Sequence, residues 1–97
     1  VAEGQGGVTV RYQIHGRVQG VGFRWFVREH ARRLGLSGTV RNLPSGSVQV
    51  EASGPLEALA ELEKLISSGP RGAIVTKVDK NENMDEAIPV VGFHIRE

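Results

Sequence analysis

The apolar residues of this chain follow two spacings, and the change between them marks the predicted elements. From Val8 to about His15 apolar and polar residues alternate, which predicts a strand. From Phe23 to about Leu34 the apolar residues recur at three- and four-residue steps, which predicts an amphipathic helix that ends at Gly35. The apolar face of the strand consists of Val8, Val10, Tyr12 and Ile14, and that of the helix of Phe23, Phe26, Val27, Ala31 and Leu34.

Two further alternating runs follow the helix and predict a hairpin. The strands cover about Gly38–Leu43 and Ser47–Ser53, and Pro44-Ser45-Gly46 is a turn signal between them. A second helix begins after Gly54, with Pro55 expected at its first helical position. Its predicted buried side consists of Ala58, Leu59, Leu62, Leu65 and Ile66, and Gly69-Pro70 ends it.

The remaining residues predict two more strands. One covers about Ala73–Asp79, where the apolar residues do not alternate cleanly, so a bulge is expected there. Lys80–Ala87 reads as a polar loop, and a last strand over about Val90–Arg96 places Val91, Phe93 and Ile95 on one face.

This element order, β-α-β-β-α-β with a final segment that can form a separate short strand, predicts the fold class. We expect an α+β, ferredoxin-like two-layer sandwich with an antiparallel sheet and both helices on one of its faces. Residues 1–7, rich in glycine, are predicted to be a flexible N-terminal tail, and residues 8–97 a single domain.

Composition narrows the functional classes. The formal charge of the 97 residues is only +1, which argues against strong nonspecific binding to nucleic acid or to an acidic membrane. The chain has no cysteine, which excludes disulfides and thiolate metal sites. Neither a membrane span nor a signal-peptide core stands out in the sequence, so we expect a cytoplasmic protein.

The candidate chemistry lies at the junction of the first strand and the first helix. Gly16, Gly20 and Gly22 punctuate this junction, and Arg24 falls in the first turn of the helix. Free amides, the helix dipole and a guanidinium together favour an oxyanion, most readily phosphate. The junction lacks the P-loop and dinucleotide patterns, and Val18 stands where a cysteine phosphatase has its nucleophile.

A second candidate residue is Asn42. If Val40 faces the helices, Asn42 is a polar side chain in the inward register at the end of its strand. Its amide combines an acceptor with two donors, so it can orient a water molecule and also contact a phosphate oxygen.

The segments Gly16–Arg24, Gly38–Val48 and Gly92–Arg96 resemble the signature sequences of the acylphosphatase family, in a match that covers about Val8–Glu97. The resemblance implies a small, monomeric, cofactor-free enzyme that hydrolyses acyl phosphates, a small-molecule substrate, without metal, nucleic acid or membrane. The family's catalytic arginine and asparagine fall on Arg24 and Asn42. Its phosphate-binding loop falls on Arg17, Val18, Gln19, Gly20, Val21, Gly22 and Phe23. The one departure is Gly22, where some vertebrate members carry a bulkier residue, and it predicts a looser loop.

The chemistry of an acyl phosphate is compatible with these residues. The leaving carboxylate has a conjugate acid with a pKa of roughly 4, so its departure needs no general acid. The enzyme must still do two things, which are to position the attacking water and to stabilise the charge on the phosphoryl oxygens. We expect Asn42 to supply the first, and the loop amides with Arg24 to supply the second.

Other interpretations remain open. Arg24 can belong to the charged face that continues through Arg28 and Arg32, and Asn42 can merely cap the hairpin. Trp25 lies off the apolar stripe of the helix. It can be a partly exposed cover of the core or a contact at the edge of the substrate. A binding module would hold an anion without turnover. An RNA-binding module is disfavoured, because the chain has few aromatic residues and little net charge.

Overall fold

The computed structural model describes residues 8–83 and 91–97. These residues form two helices and one five-stranded sheet, in the predicted order. The elements are β1 (Val8–Arg17), α1 (Phe23–Arg33), β2 (Ser37–Asn42), β3 (Val48–Gly54), α2 (Leu56–Ser68), β4 (Ile74–Asn83) and β5 (Phe93–Arg96).

The strands are arranged in the order β4-β1-β3-β2-β5. The first four of these strands pair antiparallel, as in the predicted ferredoxin-like sheet. The fifth, β5, pairs parallel with β2, so that Val40 lies beside Ile95 and Arg41 beside Arg96. The predicted fold class is confirmed, and β5 makes the sheet mixed at this edge.

One apolar core lies between the sheet and the two helices. The alternating face of β1 is buried as predicted, and Tyr12 and Ile14 have no exposed surface. Burying a large apolar side chain contributes roughly 1.5–3 kcal/mol, so burial of this face favours packing of the sheet against the helices. The helices contribute Phe23, Val27, Ala31, Leu59, Leu62 and Ile66 to the same core.

Helix α1 ends as its sequence predicts. Gly35 has a φ of +75° just after the helix. The amide of Leu36 donates to the carbonyl of Ala31, and the amide of Gly35 to that of Arg32. These two bonds satisfy carbonyls that have no partner within the helix, and a glycine makes the left-handed turn without steric cost.

Several predicted boundaries are wrong. Pro55 is the N-cap of α2, with a ψ of 148°, and Leu56 is the first helical residue. The predicted polar loop begins too early, because β4 continues to Asn83 by pairing with β1. A charged strand is stable at this place because it is a sheet edge with one side open to water. Val91 precedes β5 and is 91% exposed, so it does not share a buried face with Phe93.

The predicted bulge lies in β4. His15 pairs with Lys77 but Gly16 pairs with Val75, so Thr76 is the extra residue between the two pairs. Gly16 has a φ of +123° at this irregularity. The predicted tail, residues 1–7, and the part of the predicted loop and last strand at residues 84–90 lie outside the described residues.

Candidate active site

The junction between β1 and α1 is a loop whose backbone depends on glycine. Gly20 has a φ of +76° and Gly22 a φ of +79°. A Cβ atom at either position would meet no described atom within 4 Å, so conformation rather than lack of space favours glycine there. Both residues therefore use the left-handed conformation that glycine allows.

The first turn of α1 begins directly after this loop. Gly22 is its N-cap, and no side chain of the described residues caps it. The first backbone bond of the turn joins the amide of Phe26 to the carbonyl of Gly22 at 3.0 Å. The preceding amides have no acceptor within the helix, and they carry the partial positive charge of the helix dipole. The first turn contains no acidic residue that would oppose an incoming anion.

A cavity of about 210 Å³ opens at this helix start. Its lining brings together the predicted catalytic residues from α1 and β2 and part of the predicted loop. The lining residues are Val18, Gly20, Gly22, Phe23, Arg24, Trp25, Asn42 and Ile95. Arg24 and Asn42 are far apart in sequence, and the crossover from β1 through α1 to β2 brings them to one cavity.

Arg24 is half-buried at the cavity, and its guanidinium has a backbone partner. Its Nη1 donates to the carbonyl oxygen of Arg96 at 3.3 Å. That carbonyl belongs to β5, whose parallel pairing with β2 places Arg96 beside Arg41, the neighbour of Asn42. The edge strand thus restrains the arginine from the side, and a guanidinium has five N–H donors, more than this one contact uses.

Asn42 is the last residue of β2 and is half-buried. It pairs with Val48 across the hairpin. The tight turn that follows is closed by two backbone bonds, from Leu43 to Ser47 at 2.9 Å and from Gly46 to Leu43 at 3.0 Å. The hairpin therefore fixes the backbone from which the Asn42 amide reaches the cavity.

Gln19 joins the loop to this hairpin, which local sequence patterns do not predict. Its Nε2 donates to the carbonyl of Leu43 at 2.8 Å and to the carbonyl of Ser47 at 2.9 Å. These partners are 24 and 28 residues away, so no local spacing signals the contact. Buried Ser47 is held in turn by Gln13, whose Nε2 donates to its Oγ at 2.9 Å.

The other predicted loop residues have different surroundings. Val18 is buried, with 1% of its surface exposed, and lines the cavity. Val21 is half-buried against the core, and Arg17 is exposed. Among the described residues, Arg17, Gln19 and Val21 do not line the cavity with the rest of the predicted loop.

The histidines make contacts elsewhere in the described part of the chain. His15 pairs with Asp79 at 2.9 Å on the β1–β4 edge, and this hydrogen bond lowers the pKa of the Asp79 carboxyl. The ring of His30 packs edge-on against Phe26, with ring centroids 4.6 Å apart. The Nε2 of His94 lies 2.6 Å from the carbonyl of Val91. In residues 8–83 and 91–97 none of them lines the cavity.

The fold and this cavity define an α+β protein of ferredoxin-like topology with a cavity at the junction of its first strand and first helix. Comparison with known proteins agrees. The family model of the acylphosphatases matches residues 10–95. An acylphosphatase of Caldivirga maquilingensis is 48% identical over 93% of this chain and 95% of its own length. An acylphosphatase of Salinibacter ruber is 49% identical over 90% of each chain. The solved structure of an acylphosphatase from Coxiella burnetii superposes with a TM-score of 0.89, at 31% identity and 99% coverage of both chains.

The chain therefore belongs to the acylphosphatase family, and it is an enzyme of the hydrolase class. In the part of the chain that the structure describes, no helix is long and apolar enough to cross a membrane.

Proposed function

We propose that this enzyme hydrolyses the carboxyl–phosphate bond of acyl phosphates to a carboxylate and inorganic phosphate. The observation that carries the proposal is the convergence of Arg24 and Asn42 on one cavity with Gly20 and Gly22. A planar guanidinium, glycine backbone and an amide match the needs of phosphoryl transfer, which are charge stabilisation and positioning.

The phosphate would bind at the N-terminus of α1. The amides of the loop from Arg17 to Phe23 and of the first helical turn donate to its oxygens, and the guanidinium of Arg24 supplies a full positive charge. In phosphoryl transfer, negative charge is spread over these oxygens as the bond to the leaving group breaks. Donors fixed before the reaction stabilise that charge without reorganisation, which is the largest single contribution in many enzymes.

Asn42 would place the attacking water. Its side-chain oxygen accepts a hydrogen bond from the water, and its amide group donates to a phosphate oxygen. The water oxygen then forms a bond to phosphorus as the bond from phosphorus to the acyl oxygen breaks. The electron pair of that bond leaves with the carboxylate, which is a weak base and needs no proton from the protein.

An amide is a poor base, so the proton of the water needs another acceptor. We propose that an oxygen of the transferring phosphoryl group takes it. The proton then remains on the inorganic phosphate product, and the reaction balances without a protein base. This step agrees with the absence of any histidine from the cavity lining in the described residues.

The test is metal-free hydrolysis of benzoyl phosphate in the presence of EDTA, for the wild type, Arg24→Ala and Asn42→Ala. We expect each substitution to lower kcat/KM by about 100-fold or more, because removing one preorganised donor costs that much elsewhere. Arg33→Ala and Asn81→Ala are matched controls, since both residues are exposed and lie away from the cavity, and their activity should equal that of the wild type.

A different outcome would identify a binding module. If the wild type does not turn over benzoyl phosphate but inorganic phosphate still raises its Tm, the cradle binds an anion and the proposed hydrolysis is wrong. Ligand binding to the folded state raises Tm by mass action, so this measurement is independent of turnover.

We also propose that the enzyme acts as a monomer. The support is that one chain supplies both proposed catalytic residues and the loop between them. Size-exclusion chromatography with light scattering, run at the concentration of the kinetic assay, tests this. A dimer that loses activity on dilution would overturn it.

A further inference from the structure

The cavity lies at a positively charged end of a nearly neutral molecule. The strands β1, β2 and β5 run in the same direction, and all three end at the edge of the fold that carries the cavity. Each has an exposed arginine among its last two residues, and these are Arg17, Arg41 and Arg96. Because the formal charge of the whole chain is only +1, this positive end results from the placement of charges and not from composition.

A fourth exposed arginine, Arg71, lies in the connection from α2 to β4. This connection packs against the loop and the start of α1. A Cβ atom at Gly69 would lie 2.9 Å from Cε2 of Phe23, and one at Gly72 would lie 4.0 Å from Cγ1 of Val21. Arg71 stands between these two glycines, so its backbone is held beside the loop.

The acidic side chains are placed differently. Those that form ion pairs are Glu29, Glu51, Glu63, Asp79 and Glu82, and no pair within residues 8–83 and 91–97 includes any of the four arginines. Glu57 and Glu61 lie in the first turns of α2, which begins at the opposite end of the sheet. In the described part of the chain, Glu97, directly after Arg96, is the acidic residue at the cavity end.

We propose that Arg17, Arg41, Arg71 and Arg96 form an arginine collar whose field draws acyl phosphates to the cavity, the more strongly the more negative charge they carry. This inference rests on the function proposed above. A cleft lined by one sign of charge raises the local concentration and the association rate of an oppositely charged ligand by about 10- to 1,000-fold. The collar acts without touching the substrate, because Coulomb attraction at low ionic strength extends over tens of ångströms.

The collar should act on the capture of substrate and not on bond cleavage. Its removal should therefore lower kcat/KM and leave kcat unaltered. If the four arginines contribute equally to a 10- to 1,000-fold effect, each contributes about two- to fivefold. The Debye length is about 30 Å at 10 mM and about 3 Å at 1 M ionic strength, so the contribution should vanish at the higher value.

The kinetic experiment measures benzoyl phosphate hydrolysis at both ionic strengths and at about pH 8, where the phosphate is a dianion. At 10 mM we expect Arg71→Gln to lower kcat/KM by about two- to fivefold and Arg71→Lys to restore it, because lysine keeps the charge. The control is Arg33→Gln, since exposed Arg33 lies about 15 Å along α1 from Phe23 and should contribute less than about 1.5-fold.

Comparison of each variant with the wild type at the same ionic strength cancels competition from the anion of the salt. At 1 M all four proteins should have the same kcat/KM. A loss in Arg71→Gln that persists at 1 M would show a structural effect and overturn the collar, while turnover by the wild type would still support the proposed function.

Glu97→Gln should have the opposite effect. It removes a negative charge beside Arg96, so we expect kcat/KM at 10 mM to rise by up to about twofold. A substitution that merely disturbed the structure would lower activity, so a rise is specific to the field. An unchanged or lower kcat/KM at 10 mM would contradict the proposal.

The charge of the substrate provides an independent readout. 4-Carboxybenzoyl phosphate carries one more negative charge than benzoyl phosphate on the same ring, and Coulomb energy is proportional to the charge of the ligand. The ratio of its kcat/KM to that of benzoyl phosphate should be higher at 10 mM than at 1 M, and lower in Arg71→Gln than in the wild type at 10 mM. A ratio that does not depend on ionic strength would overturn the collar.

A binding experiment needs no turnover. Calorimetric titration with inorganic phosphate should give a Kd about two- to fivefold higher for Arg71→Gln than for the wild type at 10 mM, and equal values at 1 M. If this pattern is found but benzoyl phosphate is not hydrolysed, the collar is supported and the proposed function is wrong. Equal Kd values at 10 mM would contradict the collar, even for an active enzyme.

Discussion

Arg24 is restrained by an uncharged partner, a backbone carbonyl of β5 at 3.3 Å. A carboxylate in that place would neutralise the guanidinium and compete with a phosphate for it, whereas a carbonyl only orients it. Among residues 8–83 and 91–97 no carboxylate forms an ion pair with Arg24. Within the described residues the guanidinium thus combines a fixed direction with a charge that no acidic partner neutralises, as the proposed binding of phosphoryl oxygens would require.

The first prediction concerns the Gln19 side chain, which joins the loop to the Asn42 hairpin. Gln19→Leu leaves the carbonyls of Leu43 and Ser47 without their side-chain donor and loosens the connection between the loop and the Asn42 hairpin. Each hydrogen bond contributes about 1 kcal/mol net to stability, so we expect Tm to fall. Because small displacements of positioning groups can cost up to about 100-fold in rate, we expect kcat to fall by about tenfold. Steady-state kinetics and calorimetry measure both quantities.

The control for that substitution is Gln49→Leu. Gln49 lies on β3 and accepts from the Nε of Arg41 at 2.9 Å on an exposed surface. The two variants lose the same side-chain amide, and only Gln19 spans the loop and the hairpin. If Gln19→Leu and Gln49→Leu had the same kcat, Gln19 would not position the site.

The proton transfer gives the second prediction. If the substrate phosphoryl group accepts the proton of the water, the pH–rate profile should show the protonation of the phosphate in the wild type and also in Asn42→Ala, at a lower rate. Measurement of kcat/KM from acidic to alkaline pH for both proteins provides the test. If a pH-dependent change in kcat/KM is present in the wild type but absent from Asn42→Ala, the titrating group belongs to the protein and the proposal is wrong.

At the residue scale, local patterns predicted the two proposed catalytic positions but not the contacts that hold them. Asn42 breaks the apolar register at the end of its strand, and Arg24 falls in the first helical turn after a glycine-rich junction, and both features are visible in sequence. The contacts from Gln19 to the hairpin and from Arg24 to Arg96 join segments that meet only after the sheet has formed. No spacing in the sequence encodes such a meeting.

At the scale of elements, the β1–β4 pair depends on a close approach at Gly16. A Cβ there would collide with the carbonyl oxygen of Ile74 and lie 2.9 Å from the amide nitrogen of Thr76. We expect Gly16→Ala to lower the free energy of unfolding by at least about 2 kcal/mol, because backbone atoms at the bulge must move. Chemical denaturation with urea measures this loss.

Gly35→Ala is the matched control for Gly16→Ala. Gly35 also has a positive φ, +75°, but a Cβ there would meet no described atom within 4 Å. Its loss should be only about 1 kcal/mol, the cost of an alanine in the left-handed region. Equal losses for the two variants would show that conformation alone, and not the collision at the bulge, determines the effect.

Element boundaries were predicted less well than element types, for reasons that these strands illustrate. The polar residues of β4 beyond Asp79 form a strand because β1 offers a partner along its whole length. Alternation cannot reveal pairing at an edge, where both apolar and charged residues are tolerated. Val91 fits the alternating pattern of β5 but lies before the first paired residue, Phe93.

At the scale of the whole molecule, the described part of the core contains an ionisable group, Tyr12, with a strongly altered acidity. Tyr12 is completely buried, and its hydroxyl has no hydrogen-bond partner among the described residues. Burial, and next the nearby Glu63 carboxylate, raise the pKa of Tyr12 to about 12. Lys80, which lies 3.0 Å from Glu63, partly opposes this rise.

The raised pKa predicts a loss of stability in alkali. In the unfolded chain the tyrosine ionises near pH 10, whereas in the folded protein it remains protonated up to about pH 12. The unfolded state binds fewer protons between these values, so the free energy of unfolding should fall by on the order of 2 kcal/mol as the pH rises through that window. Urea denaturation at a series of pH values measures the fall.

Tyr12→Phe should lack that contribution. At neutral pH its stability should remain within about 1 kcal/mol of the wild type, because the substitution removes a hydroxyl without a partner. Lysines titrate in the same range in both proteins, so the difference between the two curves isolates the tyrosine. Parallel curves for the two proteins would contradict the raised pKa.

The parallel pairing of β5 with β2 also has a kinetic consequence. The cavity needs Gly20, Asn42 and Ile95 together, and Ile95 reaches it only when β5 has docked beside Val40. Contacts between residues so distant in sequence form slowly, because a long loop must close before they contribute. An intermediate that contains only β1, α1 and the hairpin would contain the helix start and Asn42 but not Ile95. Recovery of turnover during refolding should therefore follow the docking of β5 and lag behind the formation of helix.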